Sequence, residues 1–112
     1  MYSVYKVTNK LNGKMYIGFS SKPISRWSEH RKPGFKGRML TDAIHTDGVE
    51  NFEFEIIVET DSKDFARNLE TELIISHNTK FPNGYNRLVP GFGKAEPYIS
   101  PFTQKEETTE EV

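Results

Sequence analysis

Two short segments of this chain are placed so that a hairpin brings them side by side. Ser3-Val4-Tyr5 and Tyr16-Ile17-Gly18 are separated by ten residues, among them Leu11-Asn12-Gly13-Lys14. Asn-Gly between two strand-like runs is a strong hairpin signal. Residues 2–19 therefore read as strand, tight turn, strand. Two registers fit. A two-residue loop at Asn12-Gly13 sets Asn9 opposite Tyr16 and Val7 opposite Gly18. A four-residue loop over residues 10–13 sets Val7 opposite Tyr16 and Tyr5 opposite Gly18. Side chains alternate along a strand, and both registers put Tyr5, Val7, Tyr16 and Gly18 on one face. Two phenols then share a surface beside a glycine that leaves room for them. Taken alone, two tyrosines on a hairpin are ordinary strand formers.

Next comes a helix start. Ser20-Ser21-Lys22-Pro23 offers a serine N-cap and an early proline. Pro33-Gly34 stops this helix near Arg31 or Lys32. Ile24 and Trp27 are spaced to face a core, and Arg26 and His30 share another face. Residues 33–38 form a basic loop, in which glycines next to Lys36 and Arg38 let backbone and cations approach phosphate; a solvated loop is the alternative. A second helix spans about Met39 to His45, with Leu40, Ala43 and Ile44 inward and Asp47-Gly48 ending it. Phe52, Phe54, Ile56 and Val58 alternate with Glu53 and Glu55, the pattern of a half-buried strand over 51–59.

The third helix begins at Asp61 or Ser62 and runs to about His77. Ala66, Leu69, Leu73 and Ile74 define its apolar centre. Glu70 lies about 40° from that centre and Glu72 about 120° away. Glu70 is thus placed at the core margin, where a carboxylate is costly unless paired or bound to a cation. Residues 78–95 read as loop, with a turn at Pro82-Asn83-Gly84 before Gly84-Tyr85-Asn86. From Glu96 onward the prolines, Ser100 and the acidic residues 106–111 read as a disordered tail.

At 112 residues the expectation is one domain over residues 1–95, followed by that tail (96–112). The chain has no cysteine, so no disulfide and no thiolate zinc site holds it together. No apolar run is long enough for a membrane span, and no signal peptide is visible. An intracellular protein away from membranes is expected. Net charge is −1, but the charge is segregated. Residues 1–40 hold nine Lys or Arg against one acid, whereas residues 41–72 hold ten acids against two bases. This predicts an electropositive surface around the hairpin and the helix after it.

Taken together, Ser3-Val4-Tyr5, Tyr16-Ile17-Gly18, Arg26-Trp27-x-x-His30, Leu69-Glu70 and Gly84-Tyr85-Asn86 resemble the GIY-YIG nuclease family over roughly residues 1–88. Ser3 and Val4 depart from the family's glycine and isoleucine, and both suit a strand. Gly48-x-x-Asn51-Phe52-x-Phe54-Glu55-Ile56-Ile57 is most like phage and intron-encoded homing endonucleases. The resemblance implies an α+β fold: a small three-stranded antiparallel sheet with about three helices, in the order hairpin, two helices, strand, helix. It implies a metal-dependent DNA endonuclease, working in the cytoplasm of a bacterial host if phage-encoded. The implied catalytic residues are Tyr5, Tyr16, Arg26, His30 and Glu70, supported by Gly18, Lys36 and Asn86. Glu70 is the implied ligand of a single Mg²⁺ or Mn²⁺.

These residues suit phosphodiester hydrolysis. One inward carboxylate fits a hard cation whose shell is completed by water and phosphate. A guanidinium clamps phosphate with a fixed fork. Tyr5 carries the family's general-base role, although a phenol with pKa near ~10 needs cationic neighbours to serve near neutral pH. The near-neutral net charge argues for weak DNA binding by this domain alone, and the resemblance implies a separate DNA-binding domain or a partner for targeting. The rival reading is a catalytically inactive module of the same fold that binds DNA or protein. A third has the acidic tail occupying the basic face as a regulator.

Overall fold

The computed structural model describes residues 1–33, 38–89, 93–94 and 100. Strands β1 (Tyr2–Asn9) and β2 (Met15–Ser20) form the hairpin. Helices α1 (Pro23–His30) and α2 (Met39–Asp47) follow, then strand β3 (Phe52–Thr60) and helix α3 (Lys63–Ser76). The sheet is antiparallel in the order β2-β1-β3, so the N-terminal strand lies in the middle.

The hairpin adopts the four-residue loop. Tyr5 pairs with Gly18 and Val7 with Tyr16. Asn9 sets this register: its backbone N–H donates to Lys14 O at 2.9 Å, and its carbonyl accepts from Gly13 N at 2.7 Å. The turn needs a left-handed residue, and Gly13 supplies it at φ 78°.

Each face of the sheet has its own apolar cluster. Val4, Ile17, Ala66 and Ile74 are buried together, with Tyr2, Phe19, Val58, Leu69 and Leu73 against them, so α3 covers this face. On the other face Tyr5, Val7, Leu40, Ile44 and Phe52 are buried, with Tyr16, Trp27, Phe54 and Ile56 around them under α1 and α2. Clean alternation along β3 would send Val58 to the same side as Ile56. A register shift opposite Val4 and Tyr5 changes that: Tyr5 pairs with Ile56 and Val4 with Val58, and Ile57 is the extra residue. Such a bulge reverses the parity of the strand, so Val58 packs toward α3.

Two helix caps differ in kind. Ser62 caps α3, its hydroxyl accepting from Phe65 N–H at 3.1 Å. No serine caps α1. Lys22 occupies that position, and Ser20 Oγ accepts from Lys22 N–H at 2.9 Å. Ile24 is 64% exposed rather than in the core. Larger side chains fix the rotation of α1: Trp27 stacks on Phe54 with centroids 5.3 Å apart, and His30 is buried against the tyrosines. Trp27 itself is half-buried, with the Arg31 guanidinium 5.2 Å over its ring.

Residues 78–89 are more ordered than a loop. Lys80 and Asn86 form a parallel bridge, and β4 (Leu88–Val89) pairs with β5 (Gly93–Lys94). The expected basic-loop residue Lys36 and the acidic tail, apart from Ser100, lie outside the described residues. Ser100 Oγ donates to Asp42 on α2 at 2.6 Å.

Candidate active site

A cleft of about 650 Å³ opens between β2, α1 and α3. Tyr16 reaches it from β2, Arg26 and His30 from α1, and Glu70 from α3, with Asn86 from the segment after α3. These are residues the sequence singled out, drawn from four separate parts of the chain.

Tyr5 lies one layer deeper. It has no exposed surface and does not line the cleft. Its Oη shares a 3.0 Å hydrogen bond with His30 Nε2. The Tyr5 and Tyr16 rings are 6.1 Å apart, and Tyr16 meets the His30 ring edge-on at 5.3 Å. Gly18 makes this seat possible. A Cβ there would coincide with Tyr5 Cζ and Oη, so the constraint is space rather than backbone conformation.

The electrostatics follow from the packing. Burial pushes the Tyr5 phenol well above its ordinary range, and Tyr16 beside it adds to the effect; the Arg26 charge pulls the other way. The cationic neighbour expected beside Tyr5 is thus present, but burial outweighs it. Burial raises Tyr16 as well, with Arg26 opposing and Glu70 assisting. Burial, then the charges of Arg26 and Arg38, push His30 down to about 4, so its ring is neutral at pH 7.

Helical phase puts Glu70 half-buried on α3 and Glu72 in water. Burial raises the Glu70 carboxyl, and the Arg67 charge partly offsets this. Among the described residues Glu70 makes no ion pair, and no group of three His, Cys, Asp or Glu could enclose a metal. A half-desolvated carboxylate beside an open cleft fits a cation held by one protein ligand, with water and phosphate supplying the rest. Arg26 Nη1 meets Glu29 Oε1 at 3.2 Å, one turn along its own helix.

Asn86 builds the cleft wall. Its Oδ1 accepts from Ile17 N–H at 2.8 Å and from Thr79 Oγ1 at 2.7 Å, and its Nδ2 donates to Ile17 O at 2.8 Å. The side chain thereby acts as a peptide group against the open edge of β2. Tyr85 N–H donates to Met15 O at 2.9 Å alongside. Gly84 permits the approach, because a Cβ there would lie 2.7 Å from Met15 O.

The sequence reading missed much of the positive lining. Lys63, Arg67 and Arg87 border the cleft beside Arg38, the one of the four that the sequence reading places toward phosphate. Lys63 and Arg67 belong to the acidic middle of the chain, so block charges concealed them. Their spacing with Glu70, at i, i+4 and i+7, was the available signal.

A sheet of three strands with an apolar cluster on each face thus carries a tyrosine, an arginine, a histidine and a carboxylate around one cleft. Residues 1–86 match the GIY-YIG catalytic domain family, and the chain belongs to that family. Among solved structures it is similar to the catalytic domain of the intron endonuclease I-TevI. One such structure has TM-score 0.67 and 31% identity over 83% of this chain and 100% of that one. A second, of the homing endonuclease I-TevI catalytic domain, has TM-score 0.66 and 28% identity over 79% and 99%. Among curated relatives are segB and segE of Enterobacteria phage T4, each named as a candidate endonuclease. Both are 33% identical, over 82% and 80% of this chain. The chain spans only 40% and 42% of their lengths.

Proposed function

We propose that this domain, over residues 1–95, hydrolyses phosphodiester bonds of DNA, as an endonuclease dependent on a divalent cation. The observation that carries this reading is the meeting of Arg26 and Glu70 in one cleft with Tyr16 and His30 between elements that are far apart in sequence. Arg26 grips the scissile phosphate. That requires it to exchange Glu29, a surface partner worth about 0–1 kcal/mol, for a phosphate that accepts two parallel bonds. Glu70 would hold Mg²⁺ or Mn²⁺, which supplies Lewis-acid stabilisation of the phosphate's developing charge.

Tyr16 faces the cleft and orients the attacking water. Tyr5 keeps its proton at neutral pH and lies behind the cleft, so it serves as a positioning residue: its Oη holds His30 at Nε2, and the His30 ring, which lines the cleft, accepts the water's proton. Phosphate bound at Arg26 offsets the charge that depresses His30 and makes the imidazole a better acceptor as substrate arrives. Asn86 and Gly18 hold β2 in place. Targeting comes from a further domain or a partner, in keeping with relatives of which this chain spans only 40% and 42%. The protein acts inside the cell, where its DNA lies.

The test is nicking of supercoiled plasmid by purified protein with Mg²⁺ or Mn²⁺, against the same reaction in EDTA. Metal-dependent conversion to open-circular or linear DNA supports the proposal. Intact plasmid under every condition, from a protein that binds DNA, would leave the inactive binding module as the better reading.

A further inference from the structure

Two cations on one wall of the cleft, Lys63 and Arg67, have no task in the chemistry above. Lys63, Arg67 and Glu70 form a single stripe on α3, and all three line the cleft. Seven helical residues rise about 10 Å. One strand of duplex DNA carries a phosphate about every 3.4 Å of axis. The stripe therefore matches the rise of about three phosphates, with Glu70 at one end.

Both cations are exposed, and two further observations bear on their availability to a ligand. Among the described residues the ion pairs are Lys6–Glu55 and Arg26–Glu29, and neither Lys63 nor Arg67 takes part in one. The Arg67 guanidinium also lies 6.0 Å over the ring of Phe19, which lines the same cleft. Phe19 in turn stacks on Tyr2, with centroids 5.7 Å apart and planes within 6°. A guanidinium over an aromatic face is attracted to it and still presents its donors to an anion.

We propose that Lys63 and Arg67 form a phosphate track that holds the DNA strand beside the scissile phosphate and aligns it along α3 toward Glu70. The proposal rests on the nuclease reading. Both residues are positioning residues. Arg67, nearest Glu70 and over the Phe19 ring, sets the strand's register; Lys63, one turn further out, adds attraction.

The experiment compares Arg67→Gln, Arg67→Lys, Lys63→Gln and a control, Lys10→Gln, which removes an exposed cation that does not line the cleft. Thermal melts establish that each variant folds. Binding of a short labelled duplex is followed by fluorescence polarisation without divalent metal, across a salt series. Each lost phosphate contact should reduce the slope of log affinity against log salt by about 0.9. That reduction is expected for R67Q and for K63Q, with no change for K10Q. R67K should keep the slope yet nick more slowly at saturating DNA, because lysine lacks the guanidinium's fixed fork of donors. Unchanged slopes in both glutamine variants, or an equal fall in K10Q, would overturn the track. Failure of the nuclease reading shows separately, as wild-type protein that leaves plasmid intact with Mg²⁺ and Mn²⁺. The slopes decide the track in either case.

Discussion

Tyr5 Oη and His30 Nε2 meet at 3.0 Å across the contact between the central strand and α1. The contact ties stability to pH. His30 is 5% exposed and its pKa is pushed down to about 4 from 6.5. A base with a depressed folded pKa contributes stability that is complete above its unfolded pKa and lost as pH falls toward the folded one. The window is therefore from 6.5 down to about 4, and the loss reaches about 3 kcal/mol at most. Glu70, raised in the fold, contributes with the opposite sign. Comparing wild type with His30→Gln cancels that shared contribution. Urea unfolding midpoints should show the wild type losing ground to the variant on acidification. Parallel midpoints would mean that His30 is not held neutral.

Arg26→Ala should abolish nicking while the melting temperature stays within a few degrees. The only ion pair it loses among the described residues is with Glu29, each side chain more than a third exposed, and such pairs contribute little. Plasmid nicking and circular dichroism melts on the same preparation check this. Residual wild-type cleavage would remove Arg26 from the reaction.

Glu70→Gln should eliminate metal-dependent nicking and leave the domain as stable as before or slightly more so, since a half-buried charge is relieved. Glu72→Gln, in water, should change neither property. Titration of Mg²⁺ and Mn²⁺ against nicking, with melts beside it, separates the two. If only Glu72→Gln were inactive, the cation would belong to the opposite side of α3.

Asn86→Ala should be the costly substitution at the cleft wall. It strips partners from the N–H and C=O of Ile17 and from Thr79 Oγ1. At about 1–3 kcal/mol per buried group left unsatisfied, a loss of about 2–4 kcal/mol is expected after partial entry of water. Chemical denaturation measures it directly. A change below about 1 kcal/mol would show that β2 holds its place without this clip.

Much of this arrangement was legible because periodicity encodes it. Asn12-Gly13 marked the hairpin, though not its register, since both loop lengths place the same residues on one face. Apolar spacing on α3 separated Glu70 from Glu72 because a helix repeats regularly. The features that escaped depend on geometry that no local pattern carries. The β3 bulge sends Val58 to the face opposite Ile56, although the run Phe52 to Val58 alternates. Ile24 has the spacing of a core residue, but Trp27 and His30 set the rotation of α1 and leave it outside. The depth of Tyr5 depends on a partner 25 residues away. Lys63 and Arg67 are two bases in an acidic stretch, and only the fold turns them toward the cleft.

The clip formed by Asn86 also bears on how the domain is made. Strand β2 is an edge of the sheet, and among the described residues its outward groups Met15 O, Ile17 N–H and Ile17 O are met by residues 85 and 86. Domains emerge from the ribosome N-terminus first, at about 5–20 residues per second. The hairpin that carries both tyrosines is thus synthesised several seconds before the segment that seals it. Through that interval the chain presents an open strand edge, the kind of surface that pairs with other chains. The same late arrival keeps the cleft wall unfinished until nearly the whole matched domain has been translated, so a nascent fragment ending before Asn86 has the tyrosines, the arginine and the glutamate but not the wall that holds β2 against them.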